Sequence, residues 1–249
     1  MKRIAVVGAS SGLGRCISIG LAQRGERVAM LARRKDLLDS AAEEAGNDPV
    51  VAACDVTDDA SVTAAFDQVV TELGGLDAVI YCTGVGILQR IEELEPASWE
   101  RAFATNVIGA HQVTRAALPH LQEADGVAVY LSSMSASLTA PWPGLGAYTV
   151  TKAALDKLVD AWRAEHPKVG FTRVIVGECA GGEGIAQTQL TTEWDRELAG
   201  ELSSTWIERG LIDFNLMDVE HLIEAVHGVL RCGATASIPL LAVTPRRPL

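Results

Sequence analysis

This sequence predicts a doubly wound α/β architecture, with a parallel sheet of about seven strands and helices on both faces, and two observations carry that expectation. Seven short apolar runs alternate with stretches of helical period along nearly the whole chain. Directly after the first run comes a glycine-rich turn, Gly8-Ala-Ser-Ser-Gly12-Leu-Gly14, which leads into an amphipathic stretch. Such alternation builds crossover units whose ligands bind at the carboxyl ends of the strands.

The first strand is Lys2-Arg-Ile-Ala-Val-Val, and the helix after the turn runs to about Arg24. Strand, turn and helix together form a nucleotide cradle. Gly8 permits the tight turn, Gly12 lets backbone approach a pyrophosphate, and Gly14 lets the helix pack close to the sheet. The helix N-terminus offers free N–H groups and the positive end of its dipole, while Ser10 and Ser11, ahead of Leu13 in the loop, add hydroxyl donors. Further strands are expected near residues 27 to 32, 50 to 54, 77 to 82, 126 to 132, 171 to 177 and 237 to 243. Helices are expected from about Trp99 to Leu121, from about Ala147 to Ala164, and again from Asp218.

Chemistry concentrates late in the chain. Tyr148 and Lys152 stand four residues apart on an expected helix, so one turn puts phenol and ammonium on the same face. A fixed cation beside a tyrosine favours its phenolate and brings an otherwise weak acid toward the useful range. Ser133 closes the apolar strand that precedes this helix and offers a hydroxyl for a substrate oxygen.

The order Gly-x-x-x-Gly-x-Gly, then Asn106, Ser133, Tyr148 and Lys152, resembles the short-chain dehydrogenase/reductase family in its compact single-domain branch, over nearly the whole chain. The resemblance implies a Rossmann-type sheet, a nicotinamide cofactor, and a catalytic group of Asn106, Ser133, Tyr148 and Lys152. It also implies cofactor contacts from Gly8, Ser10, Ser11, Gly12, Leu13 and Gly14, adenine contacts from Asp55 and Val56, and close approach at Gly84. Lys152 would anchor the nicotinamide ribose, and Asn106 would hold a helix backbone and a water. Residues 1–249 are then one dinucleotide-binding and catalytic domain, with a substrate lid at about 181–216.

Charge selects the cofactor. The second strand ends without the carboxylate that would take ribose hydroxyls, and Arg33 and Arg34 stand there instead, where arginine accommodates a 2′-phosphate. NADP(H) is therefore expected over NAD(H), with Arg15 adding positive field beside the loop. The carboxylate of Asp55 also has a simpler reading as a turn or helix-cap group.

Three segments depart from the family pattern. Tyr81-Cys-Thr-Gly84 keeps the glycine but loses the usual side-chain amides, which leaves the support of that strand end in doubt. Cys179-Ala180 replaces a Pro-Gly pair in the loop expected along the nicotinamide. The interval from Ser133 to Tyr148 is lengthened around Pro141-Trp-Pro143. The first two motivate an alternative, an NADP-binding regulatory protein without turnover.

Composition narrows the partners. A net charge of −11 and a pI of about 4.9 disfavour nucleic acid and anionic membrane surfaces. Mean hydropathy is +0.19, yet no apolar run reaches bilayer length, and the N-terminal segment reads as a strand rather than a secretory signal; a cytoplasmic protein is expected. The five cysteines are odd in number and widely spaced, and the five histidines show no paired-ligand spacing, so reduced thiols and no metal are expected. The Pro-Arg-Arg-Pro-Leu end reads as a tail.

The substrate is read from the lid, which contains Gly184, Trp194, Trp206 and Phe214. From Glu178 through Arg209, Glu183 included, seven acids face two arginines, which disfavours a polyanion. An apolar or aromatic carbonyl or alcohol is expected, although these aromatics can equally serve to pack the lid on the core. Val107, Ile108, Val113, Leu155, Leu158, Val159 and Trp162 lie on more than one side of their helices, and a homodimer or homotetramer would cover them.

Overall fold

A computed structural model describes residues 1–182, 187–213, 215–232 and 234–246 of the chain. Gly184, Glu183 and Phe214 of the expected lid, and Arg247 to Leu249 of the tail, lie outside the described residues. Seven strands, β1 (Arg3–Val7), β2 (Arg27–Ala32), β3 (Val50–Ala53), β4 (Ala78–Tyr81), β5 (Val127–Ser133), β6 (Gly170–Val176) and β7 (Leu240–Val243), form one sheet in the order β3-β2-β1-β4-β5-β6-β7. Every pairing is parallel. The order reverses between β1 and β4, and that switch point opens a crevice at the carboxyl ends of the strands.

The helices are α1 (Gly12–Gln23), α2 (Lys35–Ala45), α3 (Asp59–Leu73), α4 (Pro96–Phe103), α5 (Gly109–Glu123), α6 (Met134–Ser137), α7 (Gly146–Glu165), α8 (Arg196–Glu208) and α9 (Val219–Leu230). Strands buried on both faces are continuously apolar, and each face carries its own core. Ile17, Leu21, Leu38, Leu222 and Val226 of α1, α2 and α9 pack on one face against Ile4, Val6 and Val174. Val62, Phe66, Val113, Leu155 and Val159 of α3, α5 and α7 pack on the other against Ala5, Tyr81 and Tyr130.

Two expected elements differ. The helix read from Trp99 to Leu121 is divided by a π-helical turn, Ala104–Ile108, because the buried Tyr81 phenol donates to the Thr105 carbonyl at 2.5 Å and draws that carbonyl toward the sheet. The last strand starts at Leu240 rather than Ser237; Pro239 before it has no N–H, and its carbonyl accepts instead from the Arg173 N–H at 3.1 Å. Of the apolar helix residues singled out for assembly, Val113, Leu155 and Val159 are fully buried in the chain's own core, whereas Ile108 is 51% exposed.

Candidate functional site

The nucleotide cradle forms where β1 ends. Gly8 (φ +96°) and Gly12 (φ +58°) both occupy the left-handed region, which a side chain would strain. A Cβ on Gly14 would overlap the Gly8 carbonyl, so the packing of α1 against the strand end depends on that hydrogen. Ser11 precedes α1 without capping it through its side chain, and no acid stands in the first turn, which leaves a positive helix end suited to a phosphate. Leu13 lies in that first turn, and a Cβ on Gly181 would press its backbone nitrogen at 2.7 Å. The Ser10 and Ser11 hydroxyls both accept from Arg34 Nη2 at 2.9 Å. One guanidinium thus reaches the glycine loop from the end of β2, where a phosphate on the adjoining ribose would need it.

The neighbouring residues are less uniform. Asp55 accepts from the Thr57 N–H at 3.0 Å and the Thr57 hydroxyl at 2.8 Å, so its carboxylate closes its own turn. Burial raises its pKa, but those two bonds and the charge of Arg33 outweigh it and hold the acid low. The Val56 side chain is buried beneath Gly109. Arg15 does not add positive field beside the loop: it is 3% exposed, pairs with Glu44 at 2.7 Å and donates to the Leu37 carbonyl at 2.9 Å, tying α1 to α2.

Ser133, Tyr148, Lys152 and Asn106 come together at the ends of β4 and β5. Lys152 is 4% exposed, donates to the Leu131 carbonyl at 2.7 Å, and lies over the Tyr148 ring at 5.8 Å from its centroid. Asn106 is completely buried; its Oδ1 accepts from the Val85 N–H at 2.8 Å, and its Nδ2 donates to the Val85 carbonyl at 3.0 Å and to Thr151 Oγ1 at 2.9 Å. It therefore locks the segment after β4 to α7. Gly84 sits between the two, since a Cβ there would stand 3.4 Å from Asn106 Oδ1 and 3.5 Å from Lys152 Nζ.

Burial changes the expected acid–base balance. The Tyr148 phenol is pushed up by burial and drawn back only in part by the Ser133 hydroxyl, because the Lys152 ammonium faces its ring rather than its oxygen. Lys152 itself is brought down to about 8, burial prevailing over the opposing pull of the Asp156 carboxylate. Ser133 also caps α6, its oxygen accepting from the Ser135 N–H at 3.3 Å and meeting the Ser135 hydroxyl at 3.0 Å.

The departures from the family pattern have physical substitutes. Tyr81 braces the turn that carries Asn106 from below, and Thr83 packs so close to Gly8 that a Cβ there would lie 2.9 Å from its nitrogen and its hydroxyl. Cys179 bridges to Met217 in parallel, and Gly181 rests against Gly12 and Leu13, so this loop passes directly over the glycine turn. The lengthened interval brings Trp142 into a third apolar cluster with Leu88, Leu145, Leu202, Trp206, Leu211 and Ile212, against which Tyr148 and Trp194 pack. The indoles are hydrogen-bonded, Trp194 to the Gly86 carbonyl at 2.8 Å and Trp206 to the Pro143 carbonyl at 2.9 Å, so packing is one role of these aromatics. Sequence reading missed Thr151, Leu131, Leu88 and Asp156; of these only Asp156, an acid one turn past Lys152 on an apolar helix, left a signal.

Among the described residues, no helix is long and apolar enough to cross a membrane, and no cluster of His, Cys, Asp and Glu suits a metal. A family model described as short chain dehydrogenase matches residues 2–199. The 11-beta-hydroxysteroid dehydrogenase 1A of Arabidopsis thaliana is 35% identical over 169 residues, covering 66% of this chain and 48% of that protein. An uncharacterized oxidoreductase of Mycobacterium bovis is 33% identical over 184 residues, covering 70% of this chain and 53% of its own. The chain thus spans about half the length of these curated relatives. Among solved structures, an alcohol dehydrogenase from the archaeon Thermococcus sibiricus complexed with 5-hydroxy-NADP has a TM-score of 0.81 at 24% identity, covering 100% of this chain and 99% of that one. The 3-ketoacyl-(acyl-carrier-protein) reductase from Brucella melitensis complexed with NADH has a TM-score of 0.81 at 23% identity, covering 98% of this chain and 96% of its own. These last two likenesses establish the shared fold. With a family model matching most of its length, on a sheet whose switch point suits a nicotinamide cofactor, the chain belongs to the short-chain dehydrogenase family of oxidoreductases.

Proposed function

We infer that the protein uses NADP(H) to interconvert a carbonyl and a secondary alcohol on an apolar or aromatic small molecule. The observation that carries this reading is the grouping of Ser133 beside Tyr148, Lys152 over the Tyr148 ring, and Lys152 and Asn106 about Gly84, near a glycine turn reached by Arg34. The cradle fits a dinucleotide: its helix end is uncapped by side chains, and a guanidinium already binds the loop hydroxyls in the way it would meet a 2′-phosphate. A bound nicotinamide supplies or accepts the hydride.

In the reductive direction the Tyr148 hydroxyl gives its proton to the carbonyl oxygen, the Ser133 hydroxyl donates to that oxygen as charge develops, and the resulting phenolate is stabilised by the Lys152 ammonium. Asn106 keeps the Val85 backbone and α7 in fixed relation, so these groups need little rearrangement. The third cluster, packed on Tyr148, excludes water and presents an apolar wall, which suits an apolar substrate. In this reading residues 1–249 act as one catalytic unit, with 181–216 as its lid. The exposed Ile108 and Val150, on the surfaces of the π-helical turn and α7, are the places where a second copy would pack to give a homodimer or homotetramer.

The test is a panel of carbonyls and alcohols followed at NAD(P)H absorbance. Tyr148→Phe is expected to lower turnover by about a hundredfold or more while the thermal shift produced by cofactor is retained. Near-normal turnover in that variant would end the mechanism.

A further inference from the structure

Tyr148, Lys152 and Asp156 stand in one row along α7 at intervals of one turn, and Asp156 is the member whose presence is hardest to explain by stability. It is 4% exposed, where α7 packs against β5 and β6. Arg173 of β6 approaches it at 3.6 Å and is shared with Asp160, one turn further along α7, at 3.7 Å. Burial raises the pKa of the acid, with nearby Ser132 of β5 and the charge of Arg173 opposing that rise, and Asp156 Oδ1, Ser132 Oγ and Arg173 Nε are all shut off from solvent without a well-formed hydrogen bond. A buried carboxylate so poorly satisfied contributes little to folding, and an apolar residue would serve a helix–sheet contact better.

Its value lies in what it does to Lys152. The groups facing that ammonium are Tyr148 and Asp156 on α7, Cys82 after β4, Asn106 of the π-helical turn, and the Leu131 carbonyl of β5. Burial pushes the Cys82 thiol up to about 12 and also raises the Tyr148 phenol, so both are neutral near pH 7. Asp156 is the one anion among them. We propose that Asp156 is a positioning residue of the reaction, its carboxylate holding the buried Lys152 as an ammonium while Arg173 holds Asp156 ionised. The proposal rests on the role given to Lys152 under the proposed function.

The sign follows from the chemistry. Burial already brings Lys152 down to about 8, and a carboxylate one turn away opposes that fall; its removal lets the midpoint drop further, so the ammonium is lost at a lower pH. In the whole protein, the Lys152 Cε resonance, assigned with Lys152→Arg, reports this titration without turnover. Asp156→Asn is expected to lower the midpoint by about one pH unit and to move the alkaline limb of kcat/KM by the same amount, with Asp156→Glu restoring both. An unmoved Lys152 midpoint in folded Asp156→Asn would overturn the proposal even where Tyr148→Phe is inactive, whereas an active Tyr148→Phe would end the functional reading alone. Asp156→Ser is the second variant, and failure of both uncharged variants to fold would also overturn the proposal, by making the carboxylate a requirement of folding instead.

Discussion

The two walls of the crevice are built in different ways. On the glycine-turn side, backbone binds backbone: Gly8 and Ala9 N–H groups donate to the Leu31 carbonyl at 2.8 and 3.1 Å, and Cys82 N–H donates to the Val7 carbonyl at 2.8 Å. The opposite wall, between β6 and α9, has the single bridge from Cys179 to Met217 as its sheet-like contact among the described residues. It is held mainly by side chains, with Trp206 meeting both Trp142 and Trp194 and exposed ion pairs joining Arg90 to Glu201 and Arg101 to Glu193 at 2.5 Å. Those pairs also offset part of the acidic excess of the segment, and exposed pairs contribute little to stability. A wall held by few large contacts opens more readily than one locked into a sheet. The difference teaches that the wall where the proposed cofactor would lie is fixed by backbone pairing, while the wall proposed to face substrate depends on side-chain contacts.

Breaking each wall separately tests that contrast. Gly14→Ala should have the largest effect, because the added methyl meets the Gly8 carbonyl, which is anchored backbone. Overpacking of this kind costs about 3 kcal/mol, read as a shift in the urea midpoint, and cofactor binding should disappear with it. A variant with unchanged midpoint and cofactor affinity would refute the rigid-cradle picture.

Trp206→Ala should be milder for the fold. A tryptophan removed from a main core costs about 3–5 kcal/mol, but the third cluster can open alone, so the global urea midpoint should register less while hydrogen exchange rises across α8. Cofactor affinity should stay the same and KM should rise. Loss of cofactor binding here would show that the two walls are coupled after all.

Smallest is the joint change Arg33→Ala and Arg34→Ala. Removing charge-assisted bonds of this kind costs about 2 kcal/mol, or about thirtyfold, and the loss should fall on NADPH with NADH left nearly unchanged. Equal affinities for the two cofactors in the unaltered protein would remove the reason for the experiment and the assignment with it.

Legibility divided along the same line. Gly8 and Gly12 could be read because a tight turn between strand and helix needs positive φ, and Tyr148 with Lys152 because four residues make one helical turn. Asp218 was legible as the start of α9, where its side chain caps the helix by accepting from the Glu220 N–H. Arg15 was misread because its neighbours in sequence are the glycine loop, while its partners, Leu37 and Glu44, belong to the next helix. The π-helical turn was missed because its cause, the Tyr81 phenol, lies 24 residues away from Thr105.

The sequence by itself therefore determined the alternation of the sheet, the glycine cradle and the shared face of the tyrosine and lysine, all of which depend on spacing over a few residues. Tertiary structure alone decided that Arg34 crosses to Ser10 and Ser11, that Asn106 ties Val85 to Thr151, and that lost hydration dominates the acidity of both the half-buried Tyr148 and the buried Lys152. The physical reason is that spacing fixes which face of a local element a group occupies, whereas its charge state and partners depend on what packs against that face from elsewhere in the chain.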